Sequence, residues 1–194
     1  LLYLLLWVLA IVVASALARS ARAALVALVA AWTLAVVVVP RAAAEYALRA
    51  EPLPTRVESD LRLQAELRRL GDGHDANDPF FGEFRRRTLE RHGVARVEDL
   101  PVNWRGLVSA EGESLTSRLF VEYAARVAAI QRAQVARVDA FAWATPVLAV
   151  RRASLAAAGS DLENHLRFLA QAESYRYDLI QRLNRLHAQH VVYA

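Results

Sequence analysis

The chain has 194 residues, a net charge of +4 and no methionine, cysteine or lysine, so all 24 of its basic residues are arginine. Without lysine it can form neither a P-loop nor a Schiff base, and without cysteine it has no thiol nucleophile, disulfide or thiolate metal site. Apart from Arg19 and Arg22, the chain has 22 arginines and 20 acidic residues. This near balance does not predict the basic surface of a nucleic-acid-binding protein. The missing methionine indicates a segment of a longer polypeptide.

Two uncharged apolar runs, residues 1–18 and 23–40, come first. Each would span about 27 Å as an α-helix, close to the thickness of a bilayer core, and the second can continue past Pro40. A signal peptide has one shorter apolar run after a basic start, and two fully buried helices of a soluble protein are not expected on either side of a four-residue connection. We therefore predict a transmembrane hairpin over residues 1–40 and a separate domain over residues 41–194.

The connection "RSAR" predicts the orientation of the hairpin. It carries Arg19 and Arg22, and basic residues in a short loop favour the cytoplasmic side, whereas charges in a long segment contribute little. Residues 41–194 should then lie on the extracytoplasmic side of an inner membrane.

The first two helices of this domain are marked by their capping residues. Thr55 and Glu58 form a capping-box pattern and predict a helix of about 16 residues. Asp78, followed by a proline, suits the start of the next helix, and Gly93 suits its end.

Two long helices follow an irregular linker predicted over residues 94–112. The first has about 30 residues and ends near Pro146, and the second starts at Ser160 with Glu163 as a further capping box. A short helix between them stops at Gly159. The second long helix carries one stripe of leucines, namely Leu162, Leu166, Leu169, Leu179, Leu183 and Leu186. With no strand alternation anywhere, the sequence predicts an all-α domain built on a long antiparallel helix pair.

Several acidic residues and histidines in the sequence are possible metal ligands. The motif "GDGHDANDP" has its glycines in the wrong places for a calcium loop, and helix ends explain most of it, which leaves His74 and Asp75. His187 and His190 share a helix face but have no third ligand in the sequence. We predict no metal site, no cofactor and no catalytic residue, since G-x-S-x-G and H-E-x-x-H are also missing.

The order of the sequence blocks resembles a known family. After the two apolar runs come "PLPTRVE", "GHDANDPFF", "LPVNWRGL", "SRLFVEY", "AVRRASLAAAGSDLENHLRF" and "QAESYRYDLIQRLNRLH". Together they resemble ABC-2 type transporter permeases with a large extracytoplasmic helical insert of unknown function before the last span. The resemblance implies a membrane subunit that works with a separate ATPase subunit and a second or homologous permease copy. It also implies that residues 1–40 are the fourth and fifth spans and that a sixth follows Ala194.

Two other functions fit the same features. A two-span sensor or anchor would present the helical domain outside and continue into a cytoplasmic signalling domain, and an outward-facing metalloenzyme would carry bound metal. For the permease we predict that the stripe formed by Leu179, Leu183 and Leu186 is buried between the long helices and couples the outer domain to the spans.

Overall fold

The computed structural model describes residues 2–191, and that part of the chain is helical and contains no β-strand. Its α-helices are α1 (Leu2–Leu17), α2 (Ala21–Thr33), α3 (Val39–Ala50), α4 (Arg56–Arg69), α5 (Gly82–His92), α6 (Trp104–Asp139), α7 (Pro146–Ala157) and α8 (Leu162–His190). A π-helical turn, Leu34–Val38, joins α2 to α3, and 3-10 turns lie at Pro79–Phe81 and Val97–Asp99. The all-α prediction is confirmed for the described residues.

The described residues form two compact units. The first unit comprises residues 2–53 and 127–166, and the second comprises residues 54–126 and 167–191. The long helices α6 and α8 contribute residues to both units. The predicted division after residue 40 concerns the membrane and stays a prediction.

The first unit is built on one continuous helix, Ala21–Ala50, which is made of α2, the π turn and α3. The helix passes through Pro40, as the sequence predicted, because the π turn directly before the proline changes the hydrogen-bond register there. Helix α1 contacts α2, and α7 contacts both α1 and the π turn.

This continuous helix is long and apolar enough to cross a membrane. Only 6% of its most apolar 18-residue window is buried within the chain, whereas a core helix of a soluble protein would be mostly buried. The other apolar helix, Tyr3–Leu17, is shorter. Among residues 2–191, then, one helix qualifies as a membrane span by length and composition, and the second span of the predicted hairpin does not reach that length.

The second unit has a small aromatic core. Phe81, Trp104 and Val108 are buried at its centre, and Phe84 stacks on Trp104 with ring centroids 5.5 Å apart. The half-buried apolar residues around this core are Ala76, Phe84, Val97, Leu100, Leu107 and Leu115. The loop after α4, the turn before α5 and the start of α6 are therefore held around one cluster.

The predicted start of α4 and the predicted end of α5 are confirmed, whereas α5 itself begins at Gly82, four residues after Asp78. Thr55 accepts a hydrogen bond from the Glu58 N–H, and the Glu58 carboxylate accepts one from the Thr55 N–H, which completes the capping box. Asp78 caps the 3-10 turn that leads into α5, and Gly93 ends α5 with φ +66°, a left-handed conformation that favours glycine.

Three boundaries of the long helices differ from the prediction. Helix α6 ends at Asp139, seven residues before Pro146. Helix α6 begins at Trp104, so the second half of the predicted linker is helical. Helix α8 is capped by Asp161, whose carboxylate accepts from the Asn164 N–H at 2.8 Å, and not by Ser160. The Ser160 N–H is already engaged by the Leu155 carbonyl, 3.0 Å away, because Gly159 closes the end of α7 in this way.

Within the second unit the two long helices run antiparallel, as predicted, because Glu113 of α6 contacts Arg176 of α8 and the earlier Ala110 contacts the later Gln181. In the second unit Gln181 of α8 donates to the Ala110 carbonyl of α6 at 2.8 Å. In the first unit Arg132 of α6 forms a two-pronged ion pair with Glu163 of α8. This pair links the two long helices within the first unit as well.

Candidate functional site

The acidic loop between α4 and α5 uses its aspartates to bind its own backbone. Asp78 accepts from the N–H groups of Asp72 (2.7 Å) and Phe80 (2.8 Å). Asp72 in turn accepts from the His74 N–H, and Asp75 from the Asn77 N–H, both at 2.9 Å. Short polar side chains that satisfy nearby backbone donors are typical of tight turns, so the density of aspartates in this loop has a structural explanation.

The two backbone donors also set the charge state of Asp78. They hold the pKa of its carboxyl below the ordinary value of 3.8, the Asp72 N–H having the larger effect and the Phe80 N–H the smaller. Hydrogen bonds to the ionised form of a carboxyl always act in this direction. Asp78 is consequently an anion at neutral pH and serves as a fixed acceptor at the centre of the loop.

The same loop is fastened to the start of α6. The Trp104 indole N–H donates to the Ala76 carbonyl at 2.9 Å, and the Ser109 hydroxyl donates to the Gly73 carbonyl at 3.4 Å. Gly73 lies so close to Gly112 that a Cβ on Gly112 would stand 2.8 Å from the Gly73 Cα. The loop is thus part of the packed core of the second unit.

The sequence candidates for metal binding are not gathered into a site. His74 and Asp75 are both exposed on the acidic loop. His187 is half-buried and His190 is exposed near the end of α8. Within residues 2–191, no group of three or more histidine or acidic side chains is arranged to hold a metal ion.

Asn103 joins the start of α6 to the end of α8. Its side-chain oxygen accepts from the Gly106 N–H at 3.3 Å, as an N-cap does, and its side-chain nitrogen donates to the Val191 carbonyl at 2.9 Å. Its backbone N–H donates to the Ala188 carbonyl at 2.7 Å. One buried asparagine therefore satisfies backbone groups at two helix ends.

A charged network links the same two helices further along. Arg176 of α8 pairs with Glu113 of α6 at 2.7 Å and with Glu173 of its own helix at 2.8 Å. Glu173 also accepts from the Ser117 hydroxyl at 2.9 Å. The Arg176 contact and then the Ser117 bond lower the pKa of Glu173, so the carboxylate stays ionised. The side of α8 that packs on α6 is therefore partly polar.

The leucine stripe lies on the other side of α8, and the prediction that it is buried was wrong. Leu179, Leu183 and Leu186 are 43%, 52% and 46% exposed. Phe168 and Tyr175, spaced along the same stripe, are exposed as well. The helix packs on α6 through its polar network and small residues, and this leaves an apolar stripe in the second unit without cover from the chain.

In the first unit, a side chain compensates for the hydrogen bond that Pro40 cannot make. The π turn bonds residues five apart, as in the bond from the Val39 N–H to the Leu34 carbonyl. The next such bond would run from residue 40 to the Ala35 carbonyl, but proline has no N–H. The buried Thr145 hydroxyl donates to that carbonyl at 2.5 Å, and Thr145 also caps α7.

The far end of the apolar helix is fixed by Glu51. Its carboxylate pairs with the Arg137 guanidinium, and its carbonyl accepts from Gln134 at 2.7 Å. The same guanidinium lies 5.9 Å from the centre of the Tyr46 ring, and Phe141 meets that ring edge-on. These contacts attach the end of α3 to the last turns of α6.

The connection between α1 and α2 carries the two arginines used for orientation. Ser20 caps α2 by accepting from the Ala23 N–H at 3.2 Å. Arg19 precedes this cap, and Arg22 lies in the first turn of α2 rather than in the loop. Both arginines are exposed.

Sequence reasoning missed Asn103, Thr145 and the Glu51–Arg137 pair because each acts on a residue far away along the chain. One signal was available. A proline inside an apolar run leaves a backbone carbonyl without its donor, so Pro40 already indicated that another group must supply the bond. Nothing local identified Thr145 as that group.

Comparison with known proteins gives one assignment for this helical chain. A family model with the description Domain of unknown function (DUF3526) matches residues 56–191, which is more than half of the 194 residues. No curated protein and no solved structure matches the chain. The chain therefore belongs to the family described as Domain of unknown function (DUF3526).

Proposed function

We propose that the chain is part of the membrane-spanning permease subunit of an ABC-2 type transporter, which works with a separate ATPase subunit. The observation that carries this proposal is the continuous apolar helix Ala21–Ala50, which ends just before the family-matched residues 56–191. This order agrees with the sequence resemblance to these permeases, which rests on the apolar runs and on the ordered sequence blocks over residues 52–187.

The exposure of the apolar helix supports its placement in a bilayer. Leu25, Val26 and Val29 are 63%, 69% and 54% exposed, and Trp32 is 47% exposed. Large apolar surface that a chain leaves uncovered must be covered by lipid or by another polypeptide. A helix of 30 residues is about 45 Å long, which exceeds the hydrocarbon thickness.

The hairpin topology is part of the proposal. Helix α1 contacts α2, so the two can cross the membrane side by side. Arg19 and Arg22 then lie at the cytoplasmic end, and the family-matched region lies on the extracytoplasmic side of the inner membrane.

The end of the span is also attached to the helical part of the chain. The contacts of Glu51 with Arg137 and Gln134 connect α3 to α6. A displacement of the end of α3 would therefore also displace the end of α6. This contact is a more specific candidate than the leucine stripe for the coupling of the spans to the rest of the chain. The exposed Leu179, Leu183 and Leu186 suit a contact with a second or homologous permease copy instead.

Purification of the parent protein from its own membranes in mild detergent tests the proposal. We expect an ATPase with a lysine-containing P-loop to copurify, and we expect the reconstituted assembly to hydrolyse ATP and move a solute across the bilayer. A parent polypeptide that carries a cytoplasmic signalling domain and no associated ATPase would instead identify a two-span sensor, and the permease proposal would fail.

A further inference from the structure

The segment between α6 and α7 has an unusual surface. Residues 140–150, "AFAWATPVLAV", carry no charge. Trp143 within them is 86% exposed, more than any other large apolar side chain that the structure describes. Arg151 follows directly and is exposed, whereas Arg152 pairs with Asp139 at 3.2 Å. This segment therefore presents a large apolar side chain that is available for contact with lipid or with another polypeptide.

The hydrogen bond of Thr145 fixes the level of this segment along the apolar helix. Its hydroxyl lies 2.5 Å from the Ala35 carbonyl. Ala35 precedes Arg41, the first charged residue at that end of the helix, by six positions, which is about 9 Å along the axis. Phe141, two residues before Trp143, contacts Tyr46, which lies beyond Arg41. The segment therefore runs from the charged end of the helix to the level of Ala35, and Trp143 lies between these two levels, near the end of the apolar part.

An apolar groove continues from this segment onto the apolar helices. Its volume is about 510 Å³, and Trp143 and Pro146 line it together with Leu6 and Trp7 of α1 and Ala31 and Ala35 of the continuous helix. The Trp7 indole N–H, beside the groove, has no acceptor in the part of the chain that the structure describes. The surface that surrounds the exposed tryptophan is thus the same surface that the proposed span turns toward lipid.

We propose that residues 141–150 form a membrane-interface anchor in which Trp143 inserts at the boundary between phospholipid headgroups and acyl chains. This rests on the proposed crossing of the membrane by Ala21–Ala50. Tryptophan is suited to that boundary because its ring is apolar while its N–H can bond to water or lipid carbonyls. Arg151, next to the segment, is placed to reach lipid phosphates.

Depth-dependent quenching of tryptophan fluorescence tests the anchor in the full-length chain reconstituted into phosphatidylcholine vesicles. One set of vesicles carries bromine near the headgroup, another near the acyl-chain end, and acrylamide reports exposure to water. Trp143→Phe and Trp32→Phe are compared with the wild type, so that each difference isolates one tryptophan. Trp7, beside the groove, and Trp104, buried in the second unit, remain in every variant and form the common background. Because Trp143 is 86% exposed, we expect its replacement to leave the fold intact.

The expected result is that Trp143→Phe removes a component quenched by bromine near the headgroup and protected from acrylamide. Trp32→Phe should remove a component quenched by bromine near the acyl-chain end, because Trp32 lies about 15 Å along the helix from Arg22 and slightly less from Arg41. If Trp32 is quenched by lipid but Trp143 only by acrylamide, the anchor is wrong and the span stands. If Trp143 is protected from both quenchers, a protein surface covers it and the anchor is also wrong. If neither tryptophan responds to lipid, the membrane crossing itself is wrong.

Discussion

Gly106→Ala should destabilise the junction between α6 and α8. A Cβ built on Gly106 would lie 2.5 Å from the Ala188 nitrogen and 2.7 Å from its Cα. Both atoms belong to a helix backbone, so they cannot move aside as a flexible side chain would. Overpacking of this kind costs about 1–3 kcal/mol, and the better helix propensity of alanine offsets at most about 1 kcal/mol. Because the 2.5 Å contact is with backbone, the cost lies in the upper part of that range, about 2–3 kcal/mol. The expected net loss is therefore about 1–2 kcal/mol.

Hydrogen exchange measured by mass spectrometry on the full-length chain in detergent reports this loss locally. Peptides that cover Asn103 and the end of α8 should exchange about 5–30 times faster, the factor that corresponds to 1–2 kcal/mol. Gly82→Ala is the matched control, because a Cβ at Gly82 meets nothing within 4 Å, and its exchange should be unchanged or slower. Equal exchange in Gly106→Ala and the wild type would show that the two helices are not packed as closely as described.

Three further predictions concern the acidic loop, the Glu51 contact and the leucine stripe. The depressed pKa of Asp78 means that its carboxylate stabilises the fold fully above pH 3.8 and loses this effect as the pH falls through the lower folded-state value. The difference in thermal stability between the wild type and Asp78→Asn should therefore shrink on acidification below pH 3.8, and His74→Ala, which removes only an exposed side chain, should change stability little at any pH. In a double-mutant cycle, Glu51→Gln and Arg137→Gln should show a larger coupling energy than Glu45→Gln and Arg41→Gln, because the first pair is less exposed (29% and 39%, against 51% and 80%) and the second is 3.8 Å apart. Equal coupling energies would contradict this. In the proposed transporter assembly, Glu51→Gln should lower transport while ATP hydrolysis continues, and unchanged transport would contradict the coupling role. Leu183→Ala should change the free energy of unfolding by less than about 0.5 kcal/mol, as exposed substitutions do, and a loss of several kcal/mol in chemical denaturation would mean that the stripe is covered after all.

The parts of the fold that the sequence predicted correctly depend on neighbouring residues. Thr55, Asp78 and Gly93 act on backbone groups a few positions away, so their type and spacing were sufficient to place them. Ser160 fitted the same local rule, but its N–H was already used to close α7. A capping rule considers one helix end at a time, so it does not include the hydrogen bond by which the preceding helix uses the same residue.

The start of α6 was missed for a different reason. Gly106 and Gly112 lower intrinsic helix propensity, and they made this stretch resemble a linker. In the structure their missing side chains allow the Ala188 backbone and Gly73 to approach, so packing that is remote in sequence outweighs propensity. The leucine stripe illustrates the same limit, because periodicity shows that a face is apolar and does not show whether α6 or something else covers it.

Cysteine accessibility in intact cells tests the central claim most directly, namely that Ala21–Ala50 crosses the membrane and leaves the family-matched region outside. The chain has no natural cysteine, and Ser20 and Ser174 are both exposed, the first beside α2 and the second on α8. An impermeant thiol reagent should label Ser174→Cys in intact cells and Ser20→Cys only after the membrane is permeabilised. Labelling of Ser20→Cys in intact cells, or of both positions alike, would contradict the account.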